Sequence, residues 1–123
     1  FLRYASPVYH FRRTATKDAV INGQNIKAGQ KVVTWFASGN RDEAIFENPD
    51  KFDVQRNPNE HMTFGRGGPH MCLGNALARI ELRVMFEDLI SRIDKMEITG
   101  EIDYLRSNFV HGIKRMPVKV TLR

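Results

Sequence analysis

The clearest periodic pattern in the chain lies in its C-terminal half. Leu73, Leu77, Ile80 and Val84 recur at i, i+4, i+7 and i+11, which is the spacing of one face of an α-helix. The pattern therefore predicts an amphipathic helix over about residues 73–93. We expect its apolar face to be packed in a core.

The N-terminal residues have the pattern of short strands that follow the end of a helix. Ser6-Pro7 ends the helix, because proline cannot donate to the helical hydrogen-bond ladder. Aromatic and branched residues over Val8–Thr16 predict a strand, and Lys31–Ala37 predicts another. Between them, Asn22-Gly23 separates two short apolar runs and predicts a hairpin.

The next residues, 38–63, keep no helical or strand period, and Gly-Asn and Asn-Pro pairs interrupt them. We predict an irregular segment that Phe46 and Phe52 anchor to the core. At the C-terminus, the pattern predicts a polar linker over residues 97–106 and then a closing hairpin around Gly112. The two strands of that hairpin are predicted at residues 107–110 and 116–122.

Composition restricts the function only weakly. The 123 residues suffice for one small domain, and the single cysteine excludes an internal disulfide, which suits the cytosol. A net charge of +5 would suit nucleic acid or an acidic protein. The basic residues are spread along the chain without a nucleic-acid-binding motif, so no nucleic-acid partner is predicted. No apolar run is long enough to predict a membrane span.

Candidate chemistry is concentrated at residues 64–74, a glycine-rich loop that contains Cys72 and runs into the predicted helix. The unpaired N–H groups at a helix N-terminus favour an anion, here a thiolate. On these residues alone Cys72 is a small buried hydrophobe, a zinc ligand, a catalytic thiol with His70 as base, or the single axial ligand of a haem iron. Zinc is poorly supported, because structural sites need four ligands.

The loop resembles the cysteine-ligand loop of haem-thiolate monooxygenases, the cytochrome P450 family. The resemblance rests on Phe64-Gly65, Gly68, His70, Cys72 and Gly74. The usual loop has its phenylalanine seven residues before the cysteine, whereas Phe64 lies eight before Cys72. This longer variant resembles actinobacterial enzymes that hydroxylate steroids and methyl-branched lipids.

The resemblance implies a fold that is mainly α with small β-sheets (α+β). It covers nearly the whole chain but only the C-terminal portion of a single cytochrome P450 domain. The implied segments are a strand region (1–37), a meander (38–63), the haem-ligand loop (64–74), a proximal helix (73–93) and a C-terminal hairpin region (94–123).

The resemblance also assigns a cofactor, haem b, with Cys72 as the axial ligand of its iron. Arg13 and His70 would hold the propionates, and Phe64 would shield the thiolate. Backbone N–H groups after Gly68 would donate hydrogen bonds to the sulfur. The other residues implied in haem binding share a place in the loop or in the first helical turns: Gly65, Gly68, Pro69, Leu73, Gly74 and Ala78.

The resemblance also implies roles for two further groups of residues. Substrate would contact Val8, Tyr9, Phe11, Phe109 and Val110, for which ordinary core packing is the alternative.

Arg3 matches the arginine of a Glu-x-x-Arg motif whose glutamate would lie one residue before Phe1. Arg56 would complete a structural network with both, and a solvated loop arginine is the alternative.

The implied activity is insertion of one atom of O2 into a C–H bond of an apolar substrate, a steroid or a branched lipid, in the cytoplasm. Electrons would come from a ferredoxin-type partner that docks on Arg66, Arg79 and Arg83, unless these simply form a solvated face. The alternative is that the chain is catalytically inactive by itself, because the oxygen-activating distal helix of the family is not among these residues.

Overall fold

The computed structural model describes all 123 residues, which form two compact units. The first unit comprises Phe1–Thr63 together with Asn108–Val110. The second comprises Phe64–Ser107 together with His111–Arg123.

The first unit contains short helices and paired strands. Strand β1 (His10–Thr14) pairs antiparallel with β4 (Lys31–Trp35), and β2 (Ala19–Ile21) pairs antiparallel with β3 (Gln24–Ile26). Asn22 and Gly23 both have positive φ, 48° and 79°, as the hairpin prediction requires. The predicted helix end before Ser6-Pro7 is also confirmed. The elements are α1 (Leu2–Ala5), β1 (His10–Thr14), β2 (Ala19–Ile21), β3 (Gln24–Ile26), β4 (Lys31–Trp35) and α2 (Phe36–Gly39).

The prediction of a strand up to Ala37 is wrong, since β4 ends at Trp35 and Phe36 begins a helix of 4 residues. The backbone N–H of Phe36 donates to the carbonyl of Tyr9 at 2.8 Å, and the Phe36 ring is buried. The chain therefore turns inward at this residue. The irregular segment accordingly begins at Asn40 rather than at residue 38.

The core of this unit is small. Phe36 and Phe46 are its buried apolar side chains, so the predicted role of Phe46 is confirmed. Phe52 is exposed and contacts the Phe1 and Tyr4 rings edge-on, with centroids 5.1 and 5.3 Å away. It packs on the surface of the unit and not in its core, which corrects the prediction.

The second unit contains one long helix and two small antiparallel sheets. Helix α3 begins at Asn75, two residues later than predicted, and ends at Arg92. Strand β5 (Ile93–Ile98) pairs with β8 (Val118–Leu122), and β6 (Asp103–Tyr104) pairs with β7 (Ile113–Arg115). The elements are α3 (Asn75–Arg92), β5 (Ile93–Ile98), β6 (Asp103–Tyr104), β7 (Ile113–Arg115) and β8 (Val118–Leu122). No helix of the structure is long and apolar enough to span a membrane.

The predicted burial of the helix face is not found in this chain. No residue of α3 is buried, and Leu77, Ile80 and Val84 are each 60% exposed. The half-buried apolar residues lie on another face, at Ala78, Leu82, Phe86 and Leu89. Helix α3 contacts β5, which continues directly from its last residue, and the face formed by Leu77, Ile80 and Val84 stays exposed.

The C-terminal prediction needs two corrections. The expected polar linker contains the end of β5 and all of β6, and the hairpin around Gly112 is formed by β6 and β7. Strand β8 pairs with β5, while Val110 forms a bridge with Val8 in the first unit. Such pairing over long sequence separation cannot be inferred from a local pattern.

Candidate functional site

The loop of residues 64–74 is closed by backbone hydrogen bonds. The N–H of Cys72 donates to the carbonyl of Phe64 at 2.9 Å, and the N–H of Met71 donates to Gly68 at 3.3 Å. Gly67 and Gly68 both have positive φ, 68° and 75°, a conformation that costs glycine little. Two consecutive left-handed glycines thus turn the backbone in the middle of the loop.

Cys72 carries an exposed thiol at the junction between this loop and α3. The N–H of Asn75 donates to the carbonyl of Cys72 at 3.3 Å, so the helix N-terminus lies next to the cysteine. A Cβ added at Gly74 would lie 4.0 Å from the Cys72 sulfur. The exposure argues against the buried-hydrophobe alternative in this unit. The zinc alternative also fails, because no group of three or more His, Cys, Asp and Glu could hold a metal ion.

Arg79 and Phe64 are in contact across the loop and the helix. The guanidinium carbon of Arg79 lies 5.1 Å from the centroid of the Phe64 ring, within the range of a cation–π interaction. Arg79 Nε also donates to Asn75 Oδ1 at 2.8 Å. The basic residues of the helix predict only a surface patch for Arg79, because no local pattern indicates its contact with Phe64.

The features of the loop fit a planar group bound through one thiolate. Cys72, Leu73 and His70 are all exposed on the loop, and Leu73 is 101% exposed. A glycine-rich backbone allows close approach, and the adjacent helix N-terminus favours a negatively charged sulfur. One thiolate is sufficient for an axial haem ligand.

The first unit brings together the five residues predicted to contact substrate. Val8 and Val110 form a β-bridge, and the N–H of Tyr9 donates to the carbonyl of Phe109 at 2.9 Å. The Phe11 and Phe109 rings meet edge-on at 5.5 Å. Both rings are about two-fifths exposed, at 41% and 40%. They are therefore not core residues of this unit.

Arg13 lies on β1 in the first unit, whereas Cys72 lies in the second. Its guanidinium carbon is 5.8 Å from the centroid of the Phe11 ring, and its Nη1 donates to the carbonyl of Arg12 at 3.0 Å. His10, which the sequence analysis did not select, contacts the Trp35 ring at 4.6 Å between centroids. The only signal for this contact in the sequence is the position of His10 on the predicted strand, next to Phe11.

A buried polar network surrounds Arg3, which is 4% exposed. Its Nη1 donates to the carbonyl of Asn40 at 2.6 Å, and its guanidinium lies 5.0 Å from the Phe46 ring centroid. Burial lowers the pKa of Arg3, and the nearby charges of Arg56 and Arg41 lower it further. The site thus concentrates positive charge.

Asn40 connects this network and was not predicted as a key residue. The side chain is fully buried, and its Nδ2 donates to Ser6 Oγ at 2.9 Å and to Thr63 Oγ1 at 3.1 Å. Its Oδ1 accepts from the N–H of Met62 at 2.7 Å. No local pattern indicates this role, because a Gly-Asn pair ordinarily indicates an exposed turn.

Arg56 is held by the irregular segment. Its Nη1 and Nη2 donate to the carbonyls of Glu47 and Asn48 at 2.7 and 3.0 Å. Its Nε is buried and has no hydrogen-bond partner in the structure. The contacts differ from those of a freely solvated arginine.

The sequence model of the family described as Cytochrome P450 matches residues 1–115. The chain belongs to the cytochrome P450 family. It is 49% identical over 117 residues to linalool 8-monooxygenase of Pseudomonas putida, covering 95% of this chain and 29% of that protein. It is also 49% identical to the methyl-branched lipid omega-hydroxylase of Mycobacterium bovis, covering 95% of this chain and 27% of that protein.

A solved structure of a cytochrome P450 shares the fold. The crystal structure of P450 OxyD, described as involved in the biosynthesis of vancomycin-type antibiotics, has a TM-score of 0.93 and 44% identity, and the match covers 99% of this chain and 31% of that one. The chain thus spans roughly three-tenths of the length of these relatives. The resemblance, the fold class and haem b as the cytochrome P450 cofactor are confirmed.

Proposed function

We propose that the protein containing this chain is a haem-thiolate monooxygenase that inserts one atom of O2 into a C–H bond of an apolar substrate. The observation that carries the proposal is the exposed Cys72 at the end of a closed glycine loop, next to the N-terminus of α3. When bound, haem b supplies the activation of O2, and a cysteine thiolate favours cleavage of the O–O bond.

The residues of the loop take distinct roles in this proposal. Cys72 ligates the iron, Phe64 limits the access of water to the sulfur, and His70 and Arg13 are each assigned to a haem propionate. The N–H groups of Met71 and Cys72 donate to carbonyls, so we propose that hydrogen bonds to the sulfur come from the other backbone amides after Gly68. The residues proposed to line the haem are Gly65, Gly68, Pro69, Leu73, Gly74 and Ala78.

For the substrate, we propose an apolar molecule, either a methyl-branched lipid or a steroid. Val8, Tyr9, Phe11, Phe109 and Val110 form one half-exposed apolar cluster, as an apolar ligand requires. The 49% identity to a methyl-branched lipid omega-hydroxylase supports the lipid.

Arg3 and Arg56 have a structural role in this proposal. The buried Nε of Arg56 has no partner, and Arg56 lowers the pKa of Arg3, so the pair favours a carboxylate. We propose that a glutamate immediately before Phe1 supplies this carboxylate.

We also propose that both compact units are parts of one cytochrome P450 domain. The proposed location of the protein is the cytoplasm, because the single cysteine suits a reducing compartment.

The proposed redox partner is an acidic ferredoxin that docks near Arg66 and Arg83, both exposed in the second unit. We expect Arg83→Glu in the intact protein to weaken ferredoxin binding about fivefold at low salt, because a reversed charge at an interface costs about 1 kcal/mol. The dissociation constant measured at two salt concentrations checks this. Lys17→Glu, an equal change in the first unit, is the control. Equal weakening by both variants would contradict a local docking site.

The test of the proposed function compares the intact protein with the isolated chain. We expect the haem-loaded intact protein to show a thiolate-type Soret band when reduced under carbon monoxide, and a product carrying one labelled oxygen atom from O2. A haem protein without that band would overturn the proposal.

We expect the isolated chain to take up no haem. This is the result that the alternative, a chain that is catalytically inactive by itself, requires. Its exposed surface is 10050 Å², whereas a folded monomer of this mass exposes about 6,800 Å². With only Phe36 and Phe46 as buried apolar side chains, the hydrophobic stabilisation is too small to offset the ordering of the site. Stoichiometric haem uptake by the chain would contradict this expectation.

A further inference from the structure

Arg79 is held at two points that together span the cysteine loop and the helix. Its guanidinium covers the Phe64 ring at 5.1 Å, and its Nε donates to Asn75 Oδ1 at 2.8 Å. Asn75 is the first residue of α3, and Phe64 is the first residue of the loop. The Arg79 side chain thus connects the beginning of the loop to the helix that follows it.

Phe64 is also connected to Cys72 through the backbone. The carbonyl of Phe64 accepts the N–H of Cys72 at 2.9 Å, which fixes the main chain on both sides of the loop. The contact with Arg79 acts on the ring itself, because the guanidinium lies over its face. Backbone and side chain of Phe64 are therefore positioned by different groups.

We infer that Arg79 is a positioning residue that fixes the orientation of the Phe64 ring and thereby governs how much water reaches the Cys72 sulfur. The inference rests on the proposed haem ligation by Cys72 and on the proposed shielding of its sulfur by Phe64. Hydrogen bonds from water to the sulfur withdraw electron density from it, so they raise the reduction potential of iron ligated there. Arg79 would then keep this potential low.

The chemistry of arginine separates this role from a docking role. A guanidinium is planar, stacks on an aromatic face and offers Nε–H as a further donor, whereas lysine is a compact point charge. Arg79→Lys therefore keeps the charge that an acidic partner would meet. It loses the planar contact with Phe64 and the bond to Asn75.

The experiment uses the haem-loaded intact protein, with the midpoint potential measured by spectroelectrochemical titration. We expect Arg79→Lys to raise the potential and to leave the affinity for ferredoxin within twofold of the original. Arg83→Lys, the matched change one turn further along α3, is expected to leave the potential unchanged. Asn75→Ala is expected to raise the potential by a smaller amount, because the cation–π contact remains.

A double-mutant cycle gives the decisive result. In a Phe64→Leu background the ring is already absent, so adding Arg79→Lys is expected to produce no further shift, a complete loss of additivity. Additive shifts would overturn the inference, as would an unchanged potential in Arg79→Lys. If the unsubstituted protein lacks the thiolate-type carbon monoxide band, the proposed function itself fails; if the band is present and the potential does not respond, only the role of Arg79 fails.

Discussion

Replacing Cys72 by serine in the intact protein is expected to abolish the thiolate-type Soret band of the reduced carbon monoxide complex. Cys72 is the only cysteine of the 123 residues, and no other side chain in the chain can supply a thiolate. A serine hydroxyl stays protonated near neutral pH and donates far less electron density to iron. Monooxygenase activity should fall below detection, and bound haem should decrease, because the strongest iron–protein bond is lost.

The control for this variant is Met71→Leu, which changes the neighbouring exposed side chain and leaves the thiol in place. It should retain the spectrum. If Cys72→Ser kept the thiolate-type band, the axial ligand would have to be a cysteine outside this chain, and the central assignment would be wrong. A spectrum lost in both variants would indicate general damage to the loop and would contradict a specific role for the sulfur.

Local signals in the sequence predicted local structure well. Asn22-Gly23 indicated a hairpin because two successive residues of positive φ are needed there, and glycine and asparagine adopt them readily. Helix α3 was predicted to within about two residues, because an apolar period sustained over many residues is unambiguous. The loop before it was identified by its glycines and its cysteine, which restrict the backbone and the chemistry together.

Interactions between distant residues were not accessible in the same way. Strand β8 pairs with β5, and Val110 pairs with Val8; no local pattern distinguishes these partners from nearer ones. The alternation of β5 is also obscured by charged residues, since Lys95 and Glu97 form an ion pair at 2.8 Å on the strand. The local pattern therefore predicts a polar linker for a segment that is partly strand.

Helix α3 shows a third limit of prediction from sequence, which concerns burial. The period of Leu77, Ile80 and Val84 correctly indicated a helix, but it also predicted a buried face that this chain does not provide. Periodicity reports which residues share a face, and burial depends on what packs against that face. The same limit applies to the charged residue Arg79. Its guanidinium stacks on the Phe64 ring, and this contact depends on the conformation of the loop, which the pattern of basic residues along the helix does not predict.

The least predictable part of the structure, the buried network around Asn40, leads to a large expected effect on stability. Asn40→Ala removes two side-chain hydrogen bonds to Ser6 and Thr63 and leaves the N–H of Met62 without its acceptor. Net hydrogen bonds contribute about 1 kcal/mol each, and an unsatisfied buried donor costs about 1–3 kcal/mol. The free energy of unfolding of the intact protein should therefore fall by about 3–5 kcal/mol.

Urea unfolding of the intact protein measures this change, with Asn59→Ala as the matched control on an exposed position of the same unit. The control should change the free energy of unfolding by less than about 0.5 kcal/mol, as surface substitutions usually do. Because Arg3 donates to the backbone carbonyl of Asn40, alanine keeps that bond, and the loss reports the amide side chain alone. Equal effects of the two variants would mean that the amide contributes nothing beyond an exposed polar group and that the network does not stabilise this unit.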